Sequence, residues 1–433
     1  MRLISTRNGA SASSISEAIR VGLAGDGGLF IPDEFPEGQL SGLTAQTSLK
    51  ETALTLFEPF FKGDQLESVL PELVEETYDF DIPLVNPFSG RPGVFALELF
   101  HGPTGAFKDV GARFLLRCLD KLGDPNAPFT VLAATSGDTG GAVGCAAEGR
   151  KGVRAVILYA KGRISAFQER QLTCWNAPVT ALEVEGDFDA CQRMVKAAFA
   201  DRALSERHNL TSANSINIAR LLPQAAYMAW AARQAYEKNG VKPGLIIPTG
   251  NLGHGVAAIW ARHMGAPWGP IVLATNANRT LADWSISGRY EPRASVATLA
   301  NAMDVGAPSN FERLNALPDD AARLSVELVE DRAIRARIKA DFERSGYVWC
   351  PHSATAAEAL SRMREFDLHA RPWVIAATAH PYKFADVVEP LIGQTLEPSE
   401  ALADVLGRPT RSEPCGADLE ALRHHLNALN ETA

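Results

Sequence analysis

Six short apolar runs constrain this 433-residue chain more than any other feature: FTVLAAT (129–135), RAVILYA (154–160), VTALEVE (179–185), LIIPT (245–249), IVLAT (271–275) and WVIAAT (373–378). Most do not alternate apolar with polar residues, so each reads as a strand covered on both faces. Helical stretches lie between them. Val110, Phe114, Cys118 and Leu122 form one stripe at i,i+4 spacing, and Phe188, Cys191, Val195 and Phe199 form another. Strands alternating with helices predict an α/β protein with parallel sheets built from βαβ units. A chain of this length predicts two or three packed units.

The first 85 or so residues differ. They read as mostly helical, with SISEAIRVGL and TALTLFEPFF, and Asp81 to Pro92 reads as a linker rich in Pro, Gly and Asn. Turn-formers recur from about 286 to 320, which predicts a long ordered loop region. The last 35 or so residues are polar and end in an amphipathic stretch, LEALRHHLNAL, read as a peripheral helix.

Net charge of −9, with acids and bases mixed and no basic stripe, argues against nucleic-acid and anionic-membrane partners. The N-terminus lacks an apolar core of signal-peptide length, and no segment reaches the length of a membrane span. Six scattered cysteines without a CxxC read as buried free thiols in a reducing, cytoplasmic compartment. No histidines fall at metal-motif spacing, so no metal is expected.

Lys108 is the first candidate for chemistry. It lies in His101-Gly-Pro-Thr-Gly-Ala-Phe-Lys-Asp-Val-Gly111, at the mouth of an amphipathic helix, flanked by Phe107 and Val110. An amine part-shielded from water has its charged form disfavoured and can attack a carbonyl. A Schiff-base lysine is one reading; a surface cation is the other.

Two glycine loops each follow a strand and open a helix. Thr135-Ser-Gly-Asp-Thr-Gly-Gly141 offers hydroxyls and free N–H groups as an anion cradle, or else is a capped turn. Thr249-Gly-Asn-Leu-Gly-His-Gly255 fits neither a nucleotide P-loop nor GxGxxG. Three glycines in six residues favour a backbone cradle for a small phosphate. In Asn214-Ser-Ile-Asn-Ile-Ala-Arg220, Ser215 or Asn214 is placed to cap a helix, and Arg220 to fork onto a phosphate or carboxylate. Thr378 ends the WVIAAT run, where ligands of open α/β sheets bind. His352 and His380, each beside a proline, read as capping or packing residues.

In order, these segments resemble the threonine synthase family of pyridoxal-phosphate enzymes, in its longer bacterial and fungal-like branch. The resemblance rests on STRN…SEAIRVGLAGDGGLFIPDEFP, HGPTGAFKD, ATSGDTGGA, SANSINIARLLPQ, PTGNLGHG, MDVGAPSNFER, PHSATAAEAL and TAHPYKF, and covers residues 1 to about 392. It implies PLP fold type II, with two parallel-sheet α/β domains and the cofactor between them. Residues 1–85 would form the mostly helical N-terminal unit. Residues 129–205 would form a smaller mobile domain, and 86–128 with 206–433 the larger, cofactor-binding one.

The activity implied is conversion of O-phospho-L-homoserine and water to L-threonine and phosphate, the last step of threonine biosynthesis. By that resemblance Lys108 is the cofactor-bearing and catalytic lysine. Gly250, Asn251, Leu252, Gly253 and His254 match the loop holding the cofactor phosphate. Thr378 matches the hydroxyl residue that meets the pyridine nitrogen. Thr135, Ser136, Gly137, Asp138 and Thr139 match the loop receiving the substrate carboxylate, and Asn217 and Arg220 are candidates for the substrate phosphate. His254 departs from the Asn or Asp common at its place. Asp138 stands where other members of the fold type carry Asn, which leaves the partner of the cofactor's 3′-oxygen unsettled. Deamination of threonine or serine and cysteine-forming β-replacement are the neighbouring chemistries, disfavoured by TSGDTG and the long N-terminus. A binding-only paralogue would be expected to lose the lysine or a phosphate loop. Monomer and homodimer both stay open.

Overall fold

The computed structural model describes residues 1–431 apart from Ser89, Ser136 and Ala322. The apolar runs form the strands expected of them. A five-stranded sheet has the order β14 (Glu413–Cys415), β8 (Val179–Val184), β7 (Val153–Ala160), β6 (Phe129–Ala134), β9 (Leu210–Ser212), parallel throughout. A six-stranded sheet has the order β12 (Ser325–Leu328), β11 (Ile271–Thr275), β10 (Gly244–Pro248), β13 (Trp373–Ala377), β5 (Val94–Glu98), β4 (Leu84–Val85). Only β4 runs antiparallel in it. Every residue of β7, β10, β11 and β13 is buried, which is why their sequences do not alternate.

One expectation is extended and two need correction. The N-terminal unit has its helices, Ile15–Val21, Leu49–Phe61 and Leu70–Thr77, but also an antiparallel sheet of β2 (Ser11–Ala12), β1 (Leu3–Ser5) and β3 (Phe30–Pro32). Strands of two or three residues are too short to show a period. The segment read as a linker contributes β4, paired with β5. Finally, β9 and β14 lie within 206–433 yet both join the smaller sheet, and the terminal helix Leu419–Glu431 packs on the helix Phe188–Ala200. Pro414 hid β14, and it is tolerated because β14 is an edge strand with no outer neighbour to bond.

The main core lies between the sheets and the helices Leu49–Phe61, Lys108–Leu122, Leu222–Asn239 and Gly253–His263. Phe114, from the predicted stripe, packs its ring 5.0 Å from Phe57 and 6.0 Å from Phe61. That contact fixes the N-terminal unit against the helix that begins at Lys108.

Candidate active site

Lys108 is the first residue of its helix. The loop before it is laid along the end of β13. Phe107 N donates to Thr378 O at 2.9 Å and His380 N donates to Gly105 O at 2.9 Å. Asp109 closes the turn, accepting from Thr104 Oγ1 at 2.6 Å and Thr104 N at 2.9 Å. Gly105 has φ +63°, a left-handed value that favours glycine. The Lys108 amine is thus set on a rigid base. Its Nζ lies 6.0 Å from the Phe107 ring centre and makes no hydrogen bond among the described residues. Burial holds its pKa below the ordinary lysine value; Asp138 opposes that shift, and Arg220 and Lys383 add to it. The helix N-terminus also disfavours a cation.

Three charged groups surround that amine. Asp138 opens the helix Asp138–Ala147 directly after β6 and the glycine turn. Burial would raise its pKa, but Lys383 and Lys108 hold it at about 2, so it is a carboxylate. Lys383 Nζ lies 2.8 Å from Asp138 Oδ1 and donates to Thr104 O at 2.7 Å. Arg220 is buried, and its guanidinium has no carboxylate partner among the described residues. Nη1 donates to Ala213 O and Nε has no acceptor. Burial lowers its pKa to about 10, so it stays charged. An unpaired buried cation costs several kcal/mol, which an anionic ligand would relieve. Gly111 lets it approach the lysine helix, since a Cβ there would lie 2.8 Å from Arg220 Nε.

The PTGNLG loop is a second anion-receptive feature. It links β10 to the helix Gly253–His263. The amides of Gly250, Asn251, Leu252, Gly253 and His254 have no acceptor among the described residues. Leu252 sits at φ +65°, a strained value for a branched side chain, which bends the run of N–H groups into a nest. A Cβ at Gly250 would lie 2.7 Å from Met303 Cα, so that position has room only for glycine. Asn251 is braced by Ser215 Oγ at 2.7 Å and by Ser309 N at 2.6 Å. Asn310 bonds both Ser215 Oγ and Asn251 O. Behind it Arg313, fully buried, donates to Asn310 Oδ1 and to the carbonyls of Ser215, Ile216 and Phe30.

Several expected contacts are reassigned by this geometry. The Thr135 hydroxyl is consumed within its own loop, accepting from Gly137 N and Gly140 N and donating to Gly137 O. Gly137, at φ +153°, is required by the turn, while Thr139 is half-buried with its hydroxyl unpaired among the described residues. Ser136 lies outside the described residues. Asn217 is engaged within the fold: its Nδ2 donates to Ile19 O at 2.9 Å and its Oδ1 accepts from Ala219 N at 3.1 Å. It, rather than Ser215 or Asn214, caps the short turn Ile218–Arg220. The His254 ring turns away from its loop, stacking on Phe107 at 4.6 Å and bonding Tyr227 Oη at 2.8 Å. Its amide therefore stays in the nest while its side chain walls the lysine.

The geometry also supplies groups that motif reading did not assign. Lys383 is one; its only sequence signal was its place in TAHPYKF. His352 is another. Its Nε2 accepts from Ala302 N at 3.1 Å, so neutral imidazole carries its proton on Nδ1, which is buried without a partner among the described residues. Burial lowers its pKa to about 4. Thr378 donates its N–H to Ser353 Oγ at 2.9 Å and leaves Oγ1 without a partner among the described residues. An open cavity of about 480 Å³ by Asp283, Arg289 and Arg293 lies elsewhere, and there Arg293 is already paired with Asp283 at 2.7 Å.

These features fit pyridoxal phosphate: a nest of unpaired amides for its phosphate, a free hydroxyl at Thr378, and a masked amine at Lys108. Residues 79–377 match the family of pyridoxal-phosphate dependent enzymes. Residues 2–78 match the threonine synthase N terminus family and 353–426 its C-terminal family. The chain is 36% identical to the threonine synthase of Serratia marcescens over 99% of this chain and all of that one. It is also 36% identical to that of Escherichia coli, over 98% of each. Among solved structures, E. coli threonine synthase superposes with a TM-score of 0.89 at 34% identity, covering 99% of this chain and 100% of that one. PLP-bound threonine synthase from Brucella melitensis gives 0.91 at 32% identity, covering 99% of each.

Proposed function

The chain belongs to the threonine synthase family, and from that premise we propose how its own residues carry the reaction. It is a pyridoxal-phosphate-dependent lyase of fold type II that converts O-phospho-L-homoserine and water to L-threonine and phosphate. One observation carries the residue assignments. Two separate anion-receptive features accompany one masked amine: Arg220 acts on Lys108 directly, and the Gly250–His254 amides adjoin it through the His254 ring stacked on Phe107. A phosphorylated cofactor and a phosphorylated substrate require two such features and one such amine.

The nest of Gly250, Asn251, Leu252, Gly253 and His254 amides would hold the cofactor phosphate, and Thr378 Oγ1 would meet its ring nitrogen. The cofactor, when bound, supplies an electron sink for protons lost next to the substrate's amino carbon. Lys108 Nζ then takes and returns protons at the substrate's Cα and Cβ. Burial and its two cationic neighbours keep that amine easier to deprotonate than a free lysine. Arg220 binds the phosphate that departs from Cγ. The glycine turn at Gly137, with the Asp138 and Thr139 amides at the start of the helix Asp138–Ala147, receives the substrate carboxylate. Phe107 and His254, stacked together, exclude water beside Lys108 until one water adds at Cβ. The unit around the five-stranded sheet is the smaller domain, and its approach to the larger one closes the site. The six cysteines are all unpaired, which supports a cytoplasmic setting, and no described helix is long and apolar enough to cross a membrane.

The test is product balance. Holoenzyme given O-phospho-L-homoserine should release phosphate and L-threonine in equal amounts. Phosphate without threonine, or 2-oxobutyrate with ammonia, would contradict this function.

A further inference from the structure

Lys383 is the one lysine of the site that the reaction described above does not use, and its side chain is wholly buried. A buried ammonium persists only where acceptors replace water. Among the described residues Lys383 has one acceptor, Thr104 O, and one counter-charge, Asp138, and they belong to different parts of the fold. Asp138 Oδ1, at 2.8 Å, follows β6 of the five-stranded sheet. Thr104 O, at 2.7 Å, lies in the loop that carries Lys108. Lys383 itself follows β13 of the six-stranded sheet. Gln171, from the helix Ala166–Thr173, donates to the same Thr104 carbonyl at 2.9 Å. One carbonyl and one ammonium therefore join the glycine turn after β6, the lysine loop and the end of β13.

We propose that Lys383 is a positioning residue of the reaction: held between Asp138 and Thr104 O, it fixes the turn after β6 against the lysine loop and shares the Asp138 charge with Lys108. Lys108 faces Asp138, Arg220, Lys383 and His352. Asp138 faces Lys383, Lys108, His352 and the Cys350 thiol. Lys383 also faces Asp109 and His380. Among these, Asp138 is the anion acting on Lys108, and Lys383 is the cation nearest to Asp138. Removing Lys383 leaves Asp138 with Lys108 as its principal cation and removes a like charge from Lys108. Both changes hold a proton on the Lys108 nitrogen more tightly. Removing the Asp138 charge does the reverse.

The inference rests on Lys108 being the cofactor lysine, and the experiment separates the two. Visible absorbance of the holoenzyme is titrated with pH, since that band reports the proton on the nitrogen that Lys108 contributes. Lys383→Met should raise the midpoint by about one pH unit or more, and Asp138→Asn should lower it by a similar amount. The double variant should return near wild type, and Lys383→Arg should keep the wild-type midpoint. Lys383→Met should also lower kcat more than it raises KM. If Lys383→Met does not fold, Lys383→Gln takes its place beside Asp138→Asn, with the same upward shift expected. A midpoint that Asp138→Asn leaves in place overturns the proposal, as does an unchanged or lowered midpoint in Lys383→Met. Absence of any visible band in the wild type would overturn the Lys108 assignment instead.

Discussion

Arg220 is where substrate binding and cofactor binding separate. It is a charged, buried guanidinium whose Nε has no partner among the described residues, set beside the lysine helix. Arg220→Ala should raise KM for O-phospho-L-homoserine by about tenfold or more, the loss of a charge-assisted contact, while leaving cofactor dissociation little changed. Equal weakening of both would sink that assignment. The buried histidines set a second prediction. His254 has its pKa lowered from 6.5 to about 3 by burial, and His352 and His380 theirs to about 4. Above pH 6.5 these rings are neutral both folded and unfolded. As pH falls toward 4 the unfolded chain binds protons that the folded chain does not, so stability is lost across that window. Urea midpoints should fall between pH 6.5 and 4, and His352→Gln should flatten the slope; a level profile would contradict this. Lys108 was legible in sequence because turn-formers and apolar flanks surround it. Lys383 and the Asn217–Ile19 bond were not, because each depends on a partner distant in the chain. Thr135 shows the opposite failure: a hydroxyl at the right place whose lone pairs are already taken by Gly137 and Gly140.

At the scale of elements, the loop from β10 into the helix Gly253–His263 is held by close packing and by one strained residue. Gly250→Ala would press a methyl to 2.7 Å from Met303 Cα, a backbone atom that cannot swing aside. The nest must then shift, and cofactor affinity should drop by about tenfold or more in equilibrium dialysis, with the fold intact by circular dichroism. Unchanged affinity would mean that these amides do not hold the phosphate. Capping is ordinary by comparison. Ser48 and Glu51 form a reciprocal capping box, and Ser48→Ala should cost about 1 kcal/mol in stability with no effect on turnover. The long buried strands could be read from sequence because an unbroken apolar run has few alternatives. β9, β12 and β14, at the sheet edges, lacked that signal: each has three or four residues, and pairing rather than composition makes them strands.

Across the whole molecule, the N-terminal unit is bonded into the site. Arg313 joins Phe30 O of β3 to Ser215 and Ile216, and through Asn310 to the loop at Asn251. Asn217 joins Ile19 O to the turn that presents Arg220. Arg313→Met leaves several carbonyls unpaired, so it should destabilise the fold by about 3 kcal/mol or more and weaken cofactor binding in the same variant. Loss of stability with undiminished cofactor affinity would show that the brace stops short of the nest. The central claim is that one part-buried lysine, between an amide nest and an unpaired arginine, carries the cofactor. Borohydride reduction of the holoenzyme followed by peptide mapping tests it most directly. The expected result is loss of the visible band and one pyridoxyl group fixed on Lys108, with none on Lys383. Label on Lys383, or a band that resists reduction in a protein that still makes threonine, would contradict it.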